Sequence, residues 1–252
     1  AGSMTDALPP LREVIAHYDL GAKKALGQHF LLDLNITRKI ARAADIAAGD
    51  IVLEIGPGPG GLTRALLEAG AEVIAVERDA RCLGALEEIS AAYPGKLTII
   101  EDDAMRADEK ALAGGRPVKI VANLPYNIST ELLVKWLRAN SGDKTRLWTK
   151  MALMFQKEVA DRILEGPGSK TYGRLSVISQ AASRPTRAFN LPASAFTPPP
   201  KVASTVVLFK PADKALAEFG ALEAVTQAAF GQRRKMLRSS MRSLWGDAAE
   251  IR

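Results

Sequence analysis

Cysteine and histidine are scarce in this chain of 252 residues. The single cysteine, Cys82, excludes an internal disulfide bond and any metal cage built from several thiolates. The histidines are His17 and His29, too few to complete a structural zinc site with one cysteine. We therefore predict no metal, and the lack of disulfide bonds favours a cytoplasmic setting.

Long hydrophobic runs are also lacking. No apolar stretch approaches the roughly 20 residues that a membrane-spanning helix needs. Residues 1–4 resemble the scar of a cleaved tag followed by the native initiator, Met4, and they do not form a signal peptide. The sequence therefore predicts a cytoplasmic protein that does not enter a membrane.

Acidic residues are outnumbered by basic ones. The chain has 34 Lys and Arg against 28 Asp and Glu, a formal charge of +6 and a sequence pI of about 9.5. This balance is compatible with a polyanionic partner, although many basic proteins bind none. With 47% hydrophobic and 25% charged residues, the chain should fold into one α/β domain with a small appendage.

Segments with strand-like and helix-like patterns alternate through the first part of the chain. Short apolar runs separated by amphipathic segments predict a mainly parallel, doubly wound sheet covered by helices on both faces. The predicted strands are 51–55, 72–77, 97–100, 118–122 and 146–156, and the predicted helices are 7–20, 33–45, 62–69, 80–90 and 130–138.

The pattern changes after Gly166. Segments 172–182 and 202–209 have the composition of strands, and the sequence between them is irregular and rich in proline, which suggests a late hairpin. From Pro211 onward the apolar spacing is helical. We therefore place a domain boundary near 210–213, which gives an N-terminal segment, an α/β domain and a helical domain at 1–22, 23–210 and 211–252.

A glycine-rich segment, residues 54–60, follows the first predicted strand. Gly56 and Gly58 let the backbone approach a ligand closely, and Glu77, at the end of the next strand, can accept the hydroxyl hydrogens of a ribose. A dinucleotide site is the competing interpretation, but it requires G-x-G-x-x-G spacing and free N–H groups. Here the spacing is G-x-G-x-G and two prolines remove donors, which favours a nucleoside without phosphates, such as S-adenosylmethionine.

An acidic turn, Asp102-Asp103, follows the third predicted strand. In a doubly wound sheet this turn lies on the same rim as Gly56 and Glu77. Asp103 can then accept a hydrogen bond from the adenine amino group of the cofactor. The alternative is an acidic turn that is simply solvated.

A second motif, Asn123-Leu124-Pro125-Tyr126, follows the fourth predicted strand. The Asn123 amide oxygen and a backbone carbonyl can accept the two hydrogens of an adenine amino group and aim its lone pair at a methyl donor. Pro125 supplies no competing N–H, and Tyr126 can stack on the base. A turn that caps a strand is the alternative, because Asn and Pro are common in turns. Behind a cofactor loop, the motif predicts methyl transfer to adenine N6.

These motifs belong to a longer set that extends from about residue 23 to residue 244. With this set the chain resembles the small-subunit (16S) ribosomal RNA adenine N6,N6-dimethyltransferase family. The segments that carry the resemblance, in the order of the family, are 24–31, 54–58, 76–77, 103–105, 123–130, 156–160, 196–202 and 230–235.

The resemblance implies a class I (Rossmann-like) methyltransferase domain at 23–210, a small α-helical RNA-binding domain at 211–252, and S-adenosylmethionine as cofactor. The family methylates two adjacent adenosines near the 3′ end of small-subunit rRNA, twice each, on a preassembled subunit. By motif position, the cofactor contacts would be His29, Leu31, Gly56, Gly58, Glu77, Asp103 and Asn123. The residues at the target base would be Asn123, Pro125, Tyr126 and Phe196, with the two aromatic rings clamping the adenine.

The chain departs from the family pattern in two respects. His29 stands where many members carry Asn, a change that a backbone contact to the cofactor would survive and a side-chain amide contact would not. The family also continues past the region of Trp245, so the helical domain of this chain is expected to be incomplete.

A basic stretch near the end of the chain is the predicted RNA surface. Arg234, Arg238 and Arg242 recur at intervals of four residues and would share one face of a helix, where they could contact phosphates. A merely solvated face is the alternative. The full set of predicted RNA contacts is Lys23, Lys24, Arg233, Arg234, Lys235, Arg238 and Arg242.

Two other functions compete with the small-subunit enzyme. One is an assembly factor that mainly binds immature small subunits. The other is the related large-subunit rRNA adenine methylase that confers macrolide resistance. The segments 172–177 and 230–235 fit the small-subunit branch better, and the catalytic motifs are intact. We therefore expect a monomeric enzyme whose partner is the rRNA of the assembling small subunit.

Overall fold

The fold is organised around a seven-stranded, mostly parallel β-sheet. The computed structural model describes residues 4–21, 28–142 and 145–231. The strands, in chain order, are β1 (Phe30–Leu31), β2 (Ile51–Ile55), β3 (Glu72–Glu77), β4 (Leu97–Glu101), β5 (Val118–Asn123), β6 (Trp148–Gln156), β7 (Ser183–Leu191), β8 (Phe196–Thr197) and β9 (Ser204–Pro211). Their order across the sheet is β4-β3-β2-β5-β6-β9-β7. The first five strands in this order are parallel, β9 is antiparallel to β6, and β7 is antiparallel to β9.

Helices cover both faces of this sheet. They are α1 (Leu11–His17), α2 (Leu34–Ala43), α3 (Gly61–Glu68), α4 (Leu83–Ala92), α5 (Glu109–Leu112), α6 (Ser129–Ala139), α7 (Lys157–Leu164), α8 (Arg174–Ala182) and α9 (Phe219–Phe230). Two hydrophobic cores result, one against α6, α7 and α8, and the other against α2, α3 and α4. No helix in the described ranges is both long and apolar enough to cross a bilayer.

The central strands form because their residues are apolar on both faces. In β2, Leu53 and Ile55 belong to the core under α6, whereas Val52 belongs to the core under α3. Successive side chains of a strand point to opposite faces, so one short run supplies both cores. Such doubly buried strands are typical of parallel sheets between two layers of helices.

The strand order reverses at β2. The chain moves from β2 to β3 and β4 on one side, and then returns to place β5 and β6 on the other side. In open α/β sheets, a crevice forms at such a reversal, outside the carboxyl ends of the strands. The glycine loop after β2, Glu77 at the end of β3 and Asn123 at the end of β5 therefore meet at one edge.

A second, two-stranded sheet joins distant parts of the chain. β1 pairs antiparallel with β8, with Phe30 opposite Thr197 and Leu31 opposite Phe196. This pairing brings the segment before α2 next to the proline-rich segment before β9.

The structure corrects one predicted strand and adds the short strands β1 and β8 and the longer strand β7, which were not predicted. Segment 172–182 is mostly the helix α8. Its buried residues recur at helical spacing: Ser179 lies three residues after Ser176, and Ala182 lies four residues after Ile178. Of the strands that were not predicted, β7 lies at the edge of the seven-stranded sheet. It contains a proline, which is tolerated on an edge because a proline there costs no ladder hydrogen bond.

The remaining elements differ from prediction mainly at their ends. The predicted helix 7–20 is a 3₁₀ turn, Met4–Ala7, followed by the short α1, and the predicted helix 80–90 is the 3₁₀ turn Ala80–Cys82 followed by α4. After Pro211 the chain becomes helical only at α9, and Phe219 of that helix is buried in the core under α6. The domain boundary near 210–213 stays a prediction, and residues 232–252 lie outside the described part of the chain.

Candidate functional site

A cavity lies at the reversal point of the sheet. Its lining includes Gln28, Phe30, Ala104 and Ile128, which were not predicted as site residues. Two of these, Gln28 and Phe30, flank His29 in the same sequence motif, and that neighbourhood was the available signal. The predicted site residues that the cavity brings together are His29, Gly56, Gly58, Glu77, Asp103, Asn123, Pro125 and Tyr126.

The glycine loop uses its own N–H groups internally. The N–H of Gly56 donates to Val76 O at 2.9 Å, and that of Gly60 donates to Pro57 O at 2.9 Å. Gly58 donates to Glu77 Oε2 at 3.0 Å. The two residues between these glycines are prolines, which have no N–H. The loop therefore presents almost no backbone donors to a pyrophosphate.

Glycine is required in this loop for conformation and for space. Gly58 has φ +55°, and a Cβ there would lie 2.9 Å from the Phe30 ring, which also lines the cavity. Gly60 has φ +95°, and a Cβ there would lie 2.2 Å from Ile89 of α4. The first glycine admits an aromatic side chain beside the cavity, and the second admits a helix.

Glu77 presents a buried carboxylate to the cavity, with only 5% of the residue exposed. Oε2 accepts from Gly58 N and Oε1 accepts from Asp79 N, each at 3.0 Å. Burial raises the pKa of Glu77, and these backbone donors oppose that rise. A carboxylate has about four acceptor positions, so both oxygens can still accept from ribose hydroxyls.

Glu54 is a second buried carboxyl group, directly before the glycine loop. It is 1% exposed and accepts a hydrogen bond from the Thr63 hydroxyl of α3. Burial raises its pKa to about 8; the Thr63 hydrogen bond opposes this shift, and the charge of Glu77 adds to it. This bond closes the base of the loop between β2 and α3. The sequence analysis gave Glu54 no role beyond its place at the start of the glycine-rich segment.

Asp103 lies on the rim of the cavity, as predicted from its place after β4. Its Oδ1 accepts from Met105 N at 2.9 Å, and its own N–H donates to Asp102 Oδ1 at 2.7 Å. The side chain therefore shapes its own turn with one oxygen. Its contact with a cofactor adenine stays a prediction.

Asn123 has an amide whose orientation is fixed by its partner. The nitrogen Nδ2 donates to the backbone carbonyl of His29 at 2.8 Å. A carbonyl oxygen can only accept, so the amide cannot be turned over without losing this bond. The oxygen Oδ1 of Asn123 is thereby directed away from His29, in a residue that lines the cavity.

Tyr126 is held at both its ring and its hydroxyl group. The hydroxyl and Ser204 Oγ are 2.7 Å apart. The ring stacks on the His29 imidazole, with centroids 5.2 Å apart and planes at 28°. Burial raises the pKa of the Tyr126 phenol, and the Ser204 contact opposes that rise, so the hydroxyl stays neutral.

Two predicted site residues are not in the cavity lining. Phe196 and Leu31 face each other across the β1–β8 pair, and they are 2% and 4% exposed. Both side chains belong to the core under α3. The predicted clamp of Tyr126 and Phe196 is thus not formed in this structure, and closure of Phe196 over a base stays a prediction.

A charged cluster next to Glu77 was missed by the sequence reasoning. The Asp79 carboxylate accepts from Arg81 Nη2 at 2.7 Å and from Gln28 Nε2 at 3.1 Å. The Arg81 hydrogen bond is the main reason that the pKa of Asp79 falls to about 2. Arg81 Nη1 also donates to Gly21 O at 3.0 Å. The cluster joins the cavity residue Gln28 to the end of β3.

The predicted RNA contacts fall outside the described residues. These contacts are Lys23, Lys24, Arg233, Arg234, Lys235, Arg238 and Arg242. They stay predictions.

Relatives with similar sequences are ribosomal RNA methyltransferases. The family model described as ribosomal RNA adenine dimethylase matches residues 20–250. The ribosomal RNA small subunit methyltransferase A of Chelativorans sp. (strain BNC1) is 58% identical over 246 residues, which cover 96% of this chain and 89% of that protein.

Solved structures lead to the same family. A dimethyladenosine transferase from Plasmodium falciparum has a TM-score of 0.73 and 32% identity, over 85% of this chain and 75% of that one. The 23S rRNA methyltransferase ErmE has a TM-score of 0.65 and 25% identity, over 85% and 84% of the two chains. These neighbours confirm the predicted class I methyltransferase fold. Together with the family match and the cavity, they establish that this chain belongs to the ribosomal RNA adenine dimethylase family and is a methyl-transferring enzyme.

Proposed function

We propose that this enzyme uses S-adenosylmethionine to methylate N6 of two adjacent adenosines near the 3′ end of small-subunit rRNA, twice each. The 58% identity to a relative named for the small subunit supports the choice of target. The observation that carries the chemistry is the fixed amide of Asn123, whose oxygen is directed away from His29 and is available to a substrate. The large-subunit alternative keeps some support from the likeness to ErmE.

The cavity fits a nucleoside cofactor without phosphates. S-adenosylmethionine supplies an electrophilic methyl group on a positively charged sulfur. Glu77 would hold its ribose, and Asp103 would accept from its adenine amino group, on the rim where both residues lie. The internally bonded glycine loop argues against a dinucleotide, because a pyrophosphate needs free N–H donors there.

The Asn123 loop would hold the nitrogen that is methylated. Adenine N6 is a poor nucleophile because its lone pair is delocalised into the ring. The Asn123 Oδ1 and the Leu124 carbonyl, which precedes a proline, would accept its two hydrogens and direct the lone pair toward the methyl group. The same two oxygens would stabilise the positive charge that develops on N6 as the methyl–sulfur bond breaks, and the methylated nitrogen would then lose a proton to water.

The RNA would be bound through its phosphates. The predicted basic set at 23–24 and 233–242 would supply affinity, and the cavity would supply the choice of base. The target adenine must leave its stack to reach the cavity. We further propose that the enzyme acts as a monomer on the assembling small subunit, in the cytoplasm.

Methyl incorporation into ribosomal particles tests this function. Undermethylated small subunits, large subunits and free rRNA are incubated with labelled S-adenosylmethionine, and the modified nucleotides are mapped. We expect incorporation into two adjacent adenosines of the small subunit. Asn123→Ala should reduce the rate about 100-fold or more, which is the effect of losing one group of a preorganised polar site. A melting measurement checks that the variant folds.

Each outcome separates the candidate functions. Incorporation into large-subunit rRNA instead would support the macrolide-resistance methylase. Tight binding to immature small subunits without methyl transfer would support an assembly factor. Normal incorporation by a folded Asn123→Ala protein would contradict the role of the amide.

A further inference from the structure

We infer that the imidazole of His29 is a positioning residue for the target base, acting through Tyr126. This inference rests on the proposed function, in which Asn123 and Tyr126 hold the adenine. His29 was predicted as a cofactor contact by motif position. Its ring contacts Tyr126, in the part of the cavity proposed to hold the base.

His29 contacts both segments that surround the proposed base site, the loop after β5 and the proline-rich segment after β8. Its backbone carbonyl accepts from Asn123 Nδ2 at 2.8 Å. Its ring nitrogen Nδ1 is 2.8 Å from Pro198 O, in the proline-rich segment after β8. Its ring stacks on Tyr126 with centroids 5.2 Å apart. The loop after β5 and the segment after β8 are far apart in the sequence, and His29, next to the β1–β8 pair, contacts both of them.

The hydrogen bond to Pro198 O fixes which ring nitrogen of His29 carries a proton and how the ring is oriented. A carbonyl oxygen has no hydrogen, so Nδ1 must carry the proton whether the imidazole is neutral or charged. The ring therefore cannot turn about its Cβ–Cγ bond without losing this hydrogen bond. The imidazole plane is held where it lies against Tyr126.

Tyr126 is then restrained at its ring and at its hydroxyl. The hydroxyl is held by Ser204 of β9, and one face of the ring is covered by His29 at a plane angle of 28°. The opposite face is the one on which a base would stack. His29 thus sets the angle at which Tyr126 presents that face, while the His29 carbonyl sets the angle of the Asn123 amide.

Two substitutions separate the ring contact from the hydrogen bond. In His29→Asn the backbone carbonyl remains and a side-chain N–H can still reach Pro198 O, but no ring stacks on Tyr126. In His29→Phe the ring remains and the hydrogen bond is lost. Because the Pro198 contact is exposed to solvent, we expect the ring to matter more.

The expected order of kcat is parent, then His29→Phe, then His29→Asn. Loss of an aromatic pair should lower kcat about three- to tenfold in His29→Asn, on undermethylated small subunits. Affinity for S-adenosylmethionine, measured by calorimetry, should stay within about twofold, because the backbone carbonyl that holds Asn123 is unchanged. In a Tyr126→Ala background, His29→Asn should have no further effect on kcat, because its only route of action is lost.

His17 offers a matched control. It also makes a ring contact with a tyrosine, Tyr18, with centroids 4.7 Å apart, and it does not line the cavity. His17→Asn should leave kcat and cofactor affinity at the parent values.

The inference is overturned if His29→Asn equals the parent in kcat, or if His29→Phe is slower than His29→Asn. It is also overturned if His29→Asn and Tyr126→Ala have additive effects. If His29→Asn lost affinity for S-adenosylmethionine and kept the parent kcat, the His29 side chain would be a cofactor contact and not a positioning residue for the base. These failures are distinct from failure of the proposed function, which would appear as normal transfer by Asn123→Ala.

Discussion

The two halves of the cavity are built in different ways. The part proposed to hold the cofactor, the cofactor half, comprises Gly56, Gly58, Glu77 and Asp103 and lies at the ends of three successive strands, β2, β3 and β4. Its hydrogen bonds join side chains to nearby backbone N–H groups. The part proposed to hold the base, the base half, comprises His29, Asn123 and Tyr126, with Pro198 in contact with His29. It is assembled from segments that are far apart in the chain, through contacts of their side chains.

The difference shows what a short motif can specify. In the cofactor half, strand, turn and carboxylate follow one another in sequence, so local geometry nearly determines the site. In the base half, each motif supplies one group, and its direction depends on a partner from elsewhere. A substitution in the base half should therefore change the angle of a group, whereas one in the cofactor half should remove a contact.

Phe196 gives the largest expected effect and the sharpest test of where the base half ends. Its ring is 2% exposed within the core under α3. Phe196→Ala should lower the free energy of unfolding by about 3–5 kcal/mol, as is usual for a buried phenylalanine. Denaturant unfolding measures this loss. Tyr126→Ala, at a half-buried position, is the contrasting variant. It should mainly slow methyl transfer, because the stacking of a base on the ring contributes about 1–3 kcal/mol. A stable Phe196→Ala protein with poor transfer would favour the aromatic clamp.

Glu77 gives the next largest effect and tests the cofactor half. Glu77→Ala removes the ribose acceptor and the bond to Gly58, and should weaken S-adenosylmethionine binding by about 1–3 kcal/mol. Calorimetry measures the affinity. The control is Glu101→Ala, which should leave affinity unchanged. Glu101 is an exposed carboxylate that lies opposite Glu77 in the register of β3 and β4. Unchanged affinity in Glu77→Ala, or tight NAD binding by the parent, would overturn the assignment.

Glu54 tests the base of the cofactor half through the pH dependence of stability. Its folded-state pKa of about 8 is raised from 4.5, so the folded protein keeps a proton that the unfolded chain loses. Its contribution to stability is therefore full below pH 4.5 and is lost as the pH rises through about 8. Glu54→Gln does not titrate, so the fall in unfolding free energy over this range should be smaller than in the parent. An unchanged slope would mean that Glu54 is ionised in the folded protein.

Much of the fold and of the cofactor half could be predicted from the sequence. The parallel strands β2 to β6 are apolar runs followed by turns or helices, and both signals are local. The spacing of the glycines and Glu77 then placed the cavity correctly. Asn123 and Tyr126 were found because they follow a strand that ends at the same edge.

The rest depended on contacts that no local pattern contains. Segment 174–182 has branched residues typical of strands, yet it is helical because buried serines pack at helical spacing. The edge strand β7 was not predicted, because it contains a proline, a residue that is rare inside strands. Phe196 is in a motif associated with catalysis, but its pairing with Leu31 determines its burial. The stacking of His29 on Tyr126 joins residues that a sequence pattern does not connect.

If Asn123 holds N6 as proposed, its fixed amide would also influence release of the finished product. Because Nδ2 is held by the His29 carbonyl, the group left for N6 is an oxygen, and an oxygen retains only a nitrogen that still carries hydrogen. Adenine N6 has two hydrogens, the monomethylated base has one and the dimethylated base has none. The dimethylated base could therefore donate no hydrogen bond to this oxygen. The contact proposed to retain a half-modified base for its second methyl group would thus be lost once the base is dimethylated.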